Sequence, residues 1–145
     1  MNVADPYDLA RFRTAQQRGF ETALAELRAG RKQTHWMWFI FPQLRGLDRS
    51  PTAQFYGISS IEEARAYVAD PVLGERLRLA TASTLTVEGR SAHAIFGSSD
   101  DMKFRSSMTL FSVAAGGEAG SPFQQALDRY FAGEPDAQTL RLLEG

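Results

Sequence analysis

The sequence contains no cysteine, only two histidines and no excess of charge of either sign. Each shortage excludes something. Without cysteine there is no disulfide, thiol nucleophile or thiolate metal site, so stability must come from a packed core. Such a chain suits a reducing compartment, and a cytoplasmic location is expected. With His35 and His93 as the only imidazoles, a two-histidine metal centre would need both of them plus carboxylates. No metal or cofactor is expected. Sixteen basic residues against 17 acidic ones leave a formal charge of -1. Strong whole-molecule attraction to nucleic acid or to anionic lipid is therefore not expected. No apolar run nears the roughly 20 residues that span a bilayer. Met1-Asn2-Val3-Ala4-Asp5-Pro6 lacks the basic-then-apolar order of a secretion leader. Gly-x-Ser-x-Gly, phosphate-loop and His-Glu-x-x-His motifs are absent too.

What is present is the composition of an ordinary globule, 43% hydrophobic and 23% charged over 145 residues. A chain of this size makes one domain, expected to span residues 1–145, and buries roughly 70% of its unfolded surface. Helix punctuation recurs: Asp5-Pro6, Ser50-Pro51, Asp70-Pro71 and Ser121-Pro122 each set a capping oxygen before a proline. The oxygen accepts from an orphan N–H, and proline lacks an N–H that the first turn does not need. Ser60 with Glu63, and Ser98 with Asp101, have capping-box spacing. Gly30 and Gly133 suit helix C-caps.

Between these marks the apolar period is helical. Phe20, Leu24 and Leu27 line a long first region that Gly19 either interrupts or does not. Further stripes are Ala64-Tyr67-Val68, Leu73-Leu77-Ala80, Phe104-Met108-Phe111-Ala115, Phe123-Ala126-Leu127-Tyr130 and Leu140-Leu143. Thr84–Val87 is the main strand candidate, with the 36–41 run as its only plausible partner. Two isolated strands make a marginal sheet, so the aromatic run is read as helix. The loop from Ala115 to Gly120 joins helices rather than domains. The expected architecture is all-α: a compact single-domain array of short capped helices around an aromatic central helix.

That central helix is His35-Trp36-Met37-Trp38-Phe39-Ile40-Phe41-Pro42-Gln43, which holds both tryptophans. We expect a helix over 34–41, capped by Thr34, with both tryptophans buried. As a site, Trp36 and Trp38 form a stacking wall, Gln43 reads a polar edge, and His35 is a donor or acid–base group. As plain core, the same residues only pack. A second candidate is Ser98–Met108, where Lys103 and Ser107 share a helix face and could hold an anion. Asp100 and Asp101 oppose that reading, and Asp101 is expected to pair with Arg105 on the surface. Arg28, Arg31, Lys32, Arg45 and Arg49 flank the aromatic run and read as solvated charge.

Gly30-Arg31-Lys32 followed by His35–Leu44 resembles the opening signature of a bacterial family known as domain of unknown function 1810. The resemblance continues through Tyr56-Gly57-Ile58, Glu63-Ala64, Pro71–Gly74, Ile95-Phe96-Gly97, Asp101–Phe104 and Ser106–Phe111. It implies a mainly helical single domain and brings no established activity or catalytic residues. Members are sometimes labelled "calpastatin", but calpastatins are disordered inhibitors and this composition is globular. The expectation for function is a small-molecule site, enzymatic or not, for a nucleotide-like or other anionic ligand. Its candidate residues are His35, Trp36, Trp38, Gln43, Lys103 and Ser107. The alternative is a non-enzymatic protein-interaction module.

Overall fold

A computed structural model describes residues 4–116 and 121–144. The end of the 115–120 loop and Met1–Val3 of the leader reading lie outside the described residues. The helices are α1 (Ala10–Arg28), α2 (Met37–Ile40), α3 (Pro51–Tyr56), α4 (Ile61–Ala69), α5 (Pro71–Leu85), α6 (Ala92–Phe96), α7 (Asp100–Ala114), α8 (Pro122–Phe131) and α9 (Ala137–Glu144). There is no strand among the described residues, only one isolated parallel bridge between Leu44 and Ile58. The fold is all-α, as expected, and α5 absorbs the first half of the strand candidate at 84–87.

The caps explain most of the boundaries. Ser50, Ser60, Ser91 and Ser121 each accept from the N–H three residues on, and Asp70 accepts from Val72 and Leu73. Asp5 works from further back, its carboxylate accepting from Leu9 and Ala10 at 2.8 and 2.9 Å. Gly30 takes φ +76° just past the end of α1, a left-handed turn that glycine adopts without Cβ strain. Gly19 does not break α1, which runs through it as one helix. One expected box fails: α7 begins after Ser99, at φ 40°, with no side-chain cap from Ser98.

α7 is the hub, packing against α4, α6, α8 and α9, while α1 lies on α5 and α2. Its Phe104 is fully buried and meets Phe41 edge-on at 4.9 Å and Phe96 in a stack at 4.5 Å. Phe111 reaches Tyr67 at 5.2 Å, and Tyr67 in turn meets Phe12 of α1 edge-on at 5.1 Å. The Tyr67 hydroxyl accepts from Gln16 Nε2, which also donates to the Phe39 carbonyl. At the α4–α5 corner, a Cβ on Gly74 would stand 2.1 Å from the Val68 carbonyl oxygen. Only glycine permits that approach.

The aromatic run differs from its expected helix. Only Met37–Ile40 is helical, a single turn. The cause lies in α1: Glu26 accepts from the Gln33 and Thr34 N–H groups, the Thr34 hydroxyl and Trp36 Nε1–H. Thr34 is thereby drawn to Glu26 and cannot cap a helix. Partial burial works to raise the Glu26 pKa, but the bonds from Thr34, Gln33 and Trp36 outweigh it and hold the carboxyl at about 2.

A buried ion pair fixes the opposite side. Arg11 and Glu63 meet at 2.8 Å, with their side chains 5% and 2% exposed. Arg11 also donates to the carbonyls of Tyr7, Asp8, Phe55 and Gly57, so all five of its N–H groups are used. The other Glu63 oxygen accepts from the backbone and hydroxyl of Ser59.

Candidate functional site

Of several cavities, two bear on the site, one walled by the buried ion pair and one bordered by Gln43 and Lys103, and they differ in what their walls leave unsatisfied. The larger, about 610 Å³, lies beside Tyr7, Arg11, Arg45, Phe55 and Glu63. Its charged wall is the ion pair just described, whose bonding groups are committed to the fold. Arg45 likewise donates to the carbonyls of Gln54 and Gly57. This cavity is bigger but chemically spent.

The second cavity, about 300 Å³, is bordered by Gln43, Asp48, Ser99, Lys103, Ser106 and Asp136. It lies where the segment after α2 meets the first turns of α7 and the start of α9. Gln43 is 7% exposed, and its carboxamide has no hydrogen-bond partner among the described residues. Among those residues the one sealed, unpartnered side-chain atom is Ser107 Oγ, so the Gln43 amide opens onto the cavity it lines. The backbone of Gln43 is fixed, its carbonyl accepting from Ile58 N–H at 3.0 Å while Arg45 N–H donates to the Ile58 carbonyl at 2.8 Å.

Beside it, Lys103 Nζ lies 3.0 Å from Asp100 Oδ1 and 4.5 Å from the Trp38 ring centroid. Asp100 Oδ2 binds a second ammonium, Lys32 at 2.9 Å, which sits 5.2 Å from the Trp36 ring. Burial works to raise the Asp100 pKa, but the bonds and charges of Lys32 and Lys103 outweigh it and lower it below the usual carboxylate range. Asp48 and Asp136 are used in part, Asp48 accepting from Ser50 N–H and Asp136 from the Thr139 N–H and hydroxyl. Ser106 donates to the Met102 carbonyl at 3.1 Å and keeps its acceptor capacity.

The six candidate residues therefore separate. Gln43 and Lys103 border one cavity, and Trp38 contacts it through Lys103. His35 is exposed and is not among the residues lining the cavity. Trp36 is 2% exposed, with its N–H on Glu26, and offers no free face for stacking. Trp38 is only half-buried, against the expectation that both tryptophans are core. Ser107 turns into the core, and its neighbour Ser106 takes the cavity position.

The expected Asp101–Arg105 pair is replaced. Asp101 faces His93 at 3.4 Å and Arg105 reaches Glu134 at 3.5 Å, so each finds a partner off its own helix. Lys32 is not solvated charge, since its side chain is 8% exposed; Arg28, Arg31, Arg45 and Arg49 are exposed. Sequence reasoning missed Asp48, Ser99 and Asp136. The one available signal was Asp136 three residues before Thr139, the spacing of a helix cap. Among the described residues, no group of three or more His, Asp or Glu side chains is placed to hold a metal ion. None of the described helices is long and apolar enough to cross a membrane.

Comparison with known proteins bears out the all-α fold. No curated protein matches the chain. A solved structure, the conserved hypothetical protein Rv1873 from Mycobacterium tuberculosis, is 50% identical. It aligns over 97% of this chain and 99% of its own with a TM-score of 0.93. The family described as "Protein of unknown function (DUF1810)" matches residues 6–143. The chain belongs to the DUF1810 family.

Proposed function

We propose that this protein binds a small polar molecule in the cavity between Gln43 and Lys103. The observation that carries the reading is the Gln43 carboxamide, buried, backbone-fixed and, among the described residues, without a protein partner at the cavity wall. A primary amide presents a donor and an acceptor side by side, and the complementary edge is a cis-amide or nucleobase-type edge. That edge is what favours the nucleotide-like half of the expected ligand. A volume of about 300 Å³ admits a molecule of metabolite size. A cytoplasmic location is part of the same proposal, and cell fractionation checks it.

Gln43→Met keeps the length of the side chain and removes both hydrogen-bonding groups. The variant should melt close to the parent temperature, yet lose binding of whichever compound a metabolite screen by calorimetry retrieves. A variant that binds the compound as the parent does sinks the proposal. The alternative, a protein-docking surface, draws on Phe55, which is 54% exposed at the rim of the larger cavity. It forecasts instead that Phe55→Glu abolishes partner capture while Gln43→Met leaves it intact.

A further inference from the structure

The lysine pair around Asp100 narrows the ligand further. Asp100 is shared: one oxygen holds Lys103 at 3.0 Å and the other holds Lys32 at 2.9 Å. Lys32 is anchored independently, since its backbone N–H donates to the Ile95 carbonyl at 2.7 Å and its ammonium lies over Trp36. If Lys103 turns from Asp100 to a ligand in the cavity it already borders, Asp100 keeps its second cation. No carboxylate is stranded, so the transfer is cheap. The trio of Lys32, Asp100 and Lys103 has one positive charge to spare, but Asp48 and Asp136 stand on the same cavity without an ion-pair partner among the described residues. A second or third negative charge on the ligand would face those carboxylates with no further ammonium to meet it.

Resting on the reading of Gln43 above, we infer that the ligand class is a monoanion bearing an amide-type edge. The edge pairs with Gln43, and the single acid group takes Lys103 over from Asp100. Polyphosphates are disfavoured, which separates this inference from the nucleotide-like expectation. Asp100 acts as a positioning residue that parks Lys103 over Trp38 until the anion arrives.

Three matched probes test charge at a constant edge: uracil (neutral), orotate (monoanion) and uridine monophosphate (dianion). Binding is read from the side-chain amide resonances of Gln43 and the indole resonance of Trp38 in nuclear magnetic resonance titrations. Orotate should bind about tenfold tighter than uracil, the ordinary worth of one charge-assisted hydrogen bond. Uridine monophosphate should bind no tighter than orotate. Lys103→Met should erase the orotate advantage without changing uracil, and Lys103→Arg, which keeps the charge, should restore most of it. Melting temperatures of both variants separate lost binding from lost folding.

Equal binding of uracil and orotate, an orotate advantage that survives Lys103→Met, or tightest binding of the dianion overturns the charge inference and leaves the Gln43 reading standing. If none of the three probes moves the Gln43 amide, the Gln43 reading falls, and the inference with it.

Discussion

Replacing Glu63 by glutamine removes one charge and keeps the shape of the side chain, so its effect isolates the buried ion pair. Glu63 is 2% exposed, and its oxygens have different clients, Arg11 on one and the Ser59 N–H and hydroxyl on the other. A glutamine amide can present its oxygen to only one side. In either orientation its NH2 group faces another donor. Arg11 is left buried without a counter-charge, a situation that typically costs about 3–5 kcal/mol. For a 145-residue chain, unfolding entropy near 2.1 cal/mol/K per residue converts each kcal/mol to roughly 3 °C of Tm. Glu63→Gln should therefore lower the Tm by about 10–16 °C in a calorimetric scan at neutral pH.

Arg11→Met should cost at least as much, because it also strips the partners from the carbonyls of Tyr7 and Phe55, while Asp8 keeps the residue 11 backbone N–H and Gly57 keeps Arg45. The double variant should be less destabilised than the two losses added together, by about 1–3 kcal/mol. A Tm loss under about 3 °C for Glu63→Gln, or strict additivity in the cycle, would refute the account of a closed network.

Three further outcomes can be checked on the same instrument. Ser107→Ala should be neutral or stabilising by up to about 1 kcal/mol, because it deletes a sealed hydroxyl that has no partner; a large loss of Tm would mean the hydroxyl is satisfied. Gly74→Ala should cost about 2–3 kcal/mol although alanine is the better helix former, since its Cβ would meet the Val68 carbonyl oxygen at 2.1 Å and backbone must move. For Glu26, the folded pKa of about 2 lies below the ordinary glutamate value of 4.5, so the unfolded chain binds more protons in between. Its contribution is complete above about pH 5 and fades as pH falls through 4.5 towards 2. The stability gap between parent and Glu26→Gln should shrink over that window, and a constant gap counts against the pairing.

What could be read in the sequence was what neighbours along the chain decide. Ser50, Asp70 and Ser121 cap helices because the cap, the proline and the receiving N–H lie within three residues. Phe104, Met108 and Phe111 are buried because their spacing is the pitch of the helix. The aromatic run was misjudged as a full helix because its fate is set by Glu26, on another helix and seven to ten residues upstream. Arg11 and Glu63 are 52 residues apart, and no local pattern joins them. The spacing of Ser60 and Glu63 pointed to half of that network, since Glu63 is drawn to the loop before its helix, although it bonds Ser59 there. In the site, Gln43 and Lys103 were nameable from residue type, but their convergence depends on how the segment after α2 crosses the start of α7. The cavity position falls to Ser106 rather than Ser107 because a helix face read from sequence is uncertain by one position at its edge.

The lone bridge between Leu44 and Ile58 has a kinetic consequence. Its two hydrogen bonds grip the chain on either side of Leu44 and immobilise the peptide that carries Gln43 before any ligand is present. The protein then gives up little conformational entropy on association, and the ordering cost falls mainly on the incoming molecule. Substitutions at Gln43 should leave the association rate nearly unchanged and appear as faster dissociation. Loosening the bridge itself, for instance with Ile58→Gly, should slow productive capture even though residue 58 is not among those lining the cavity.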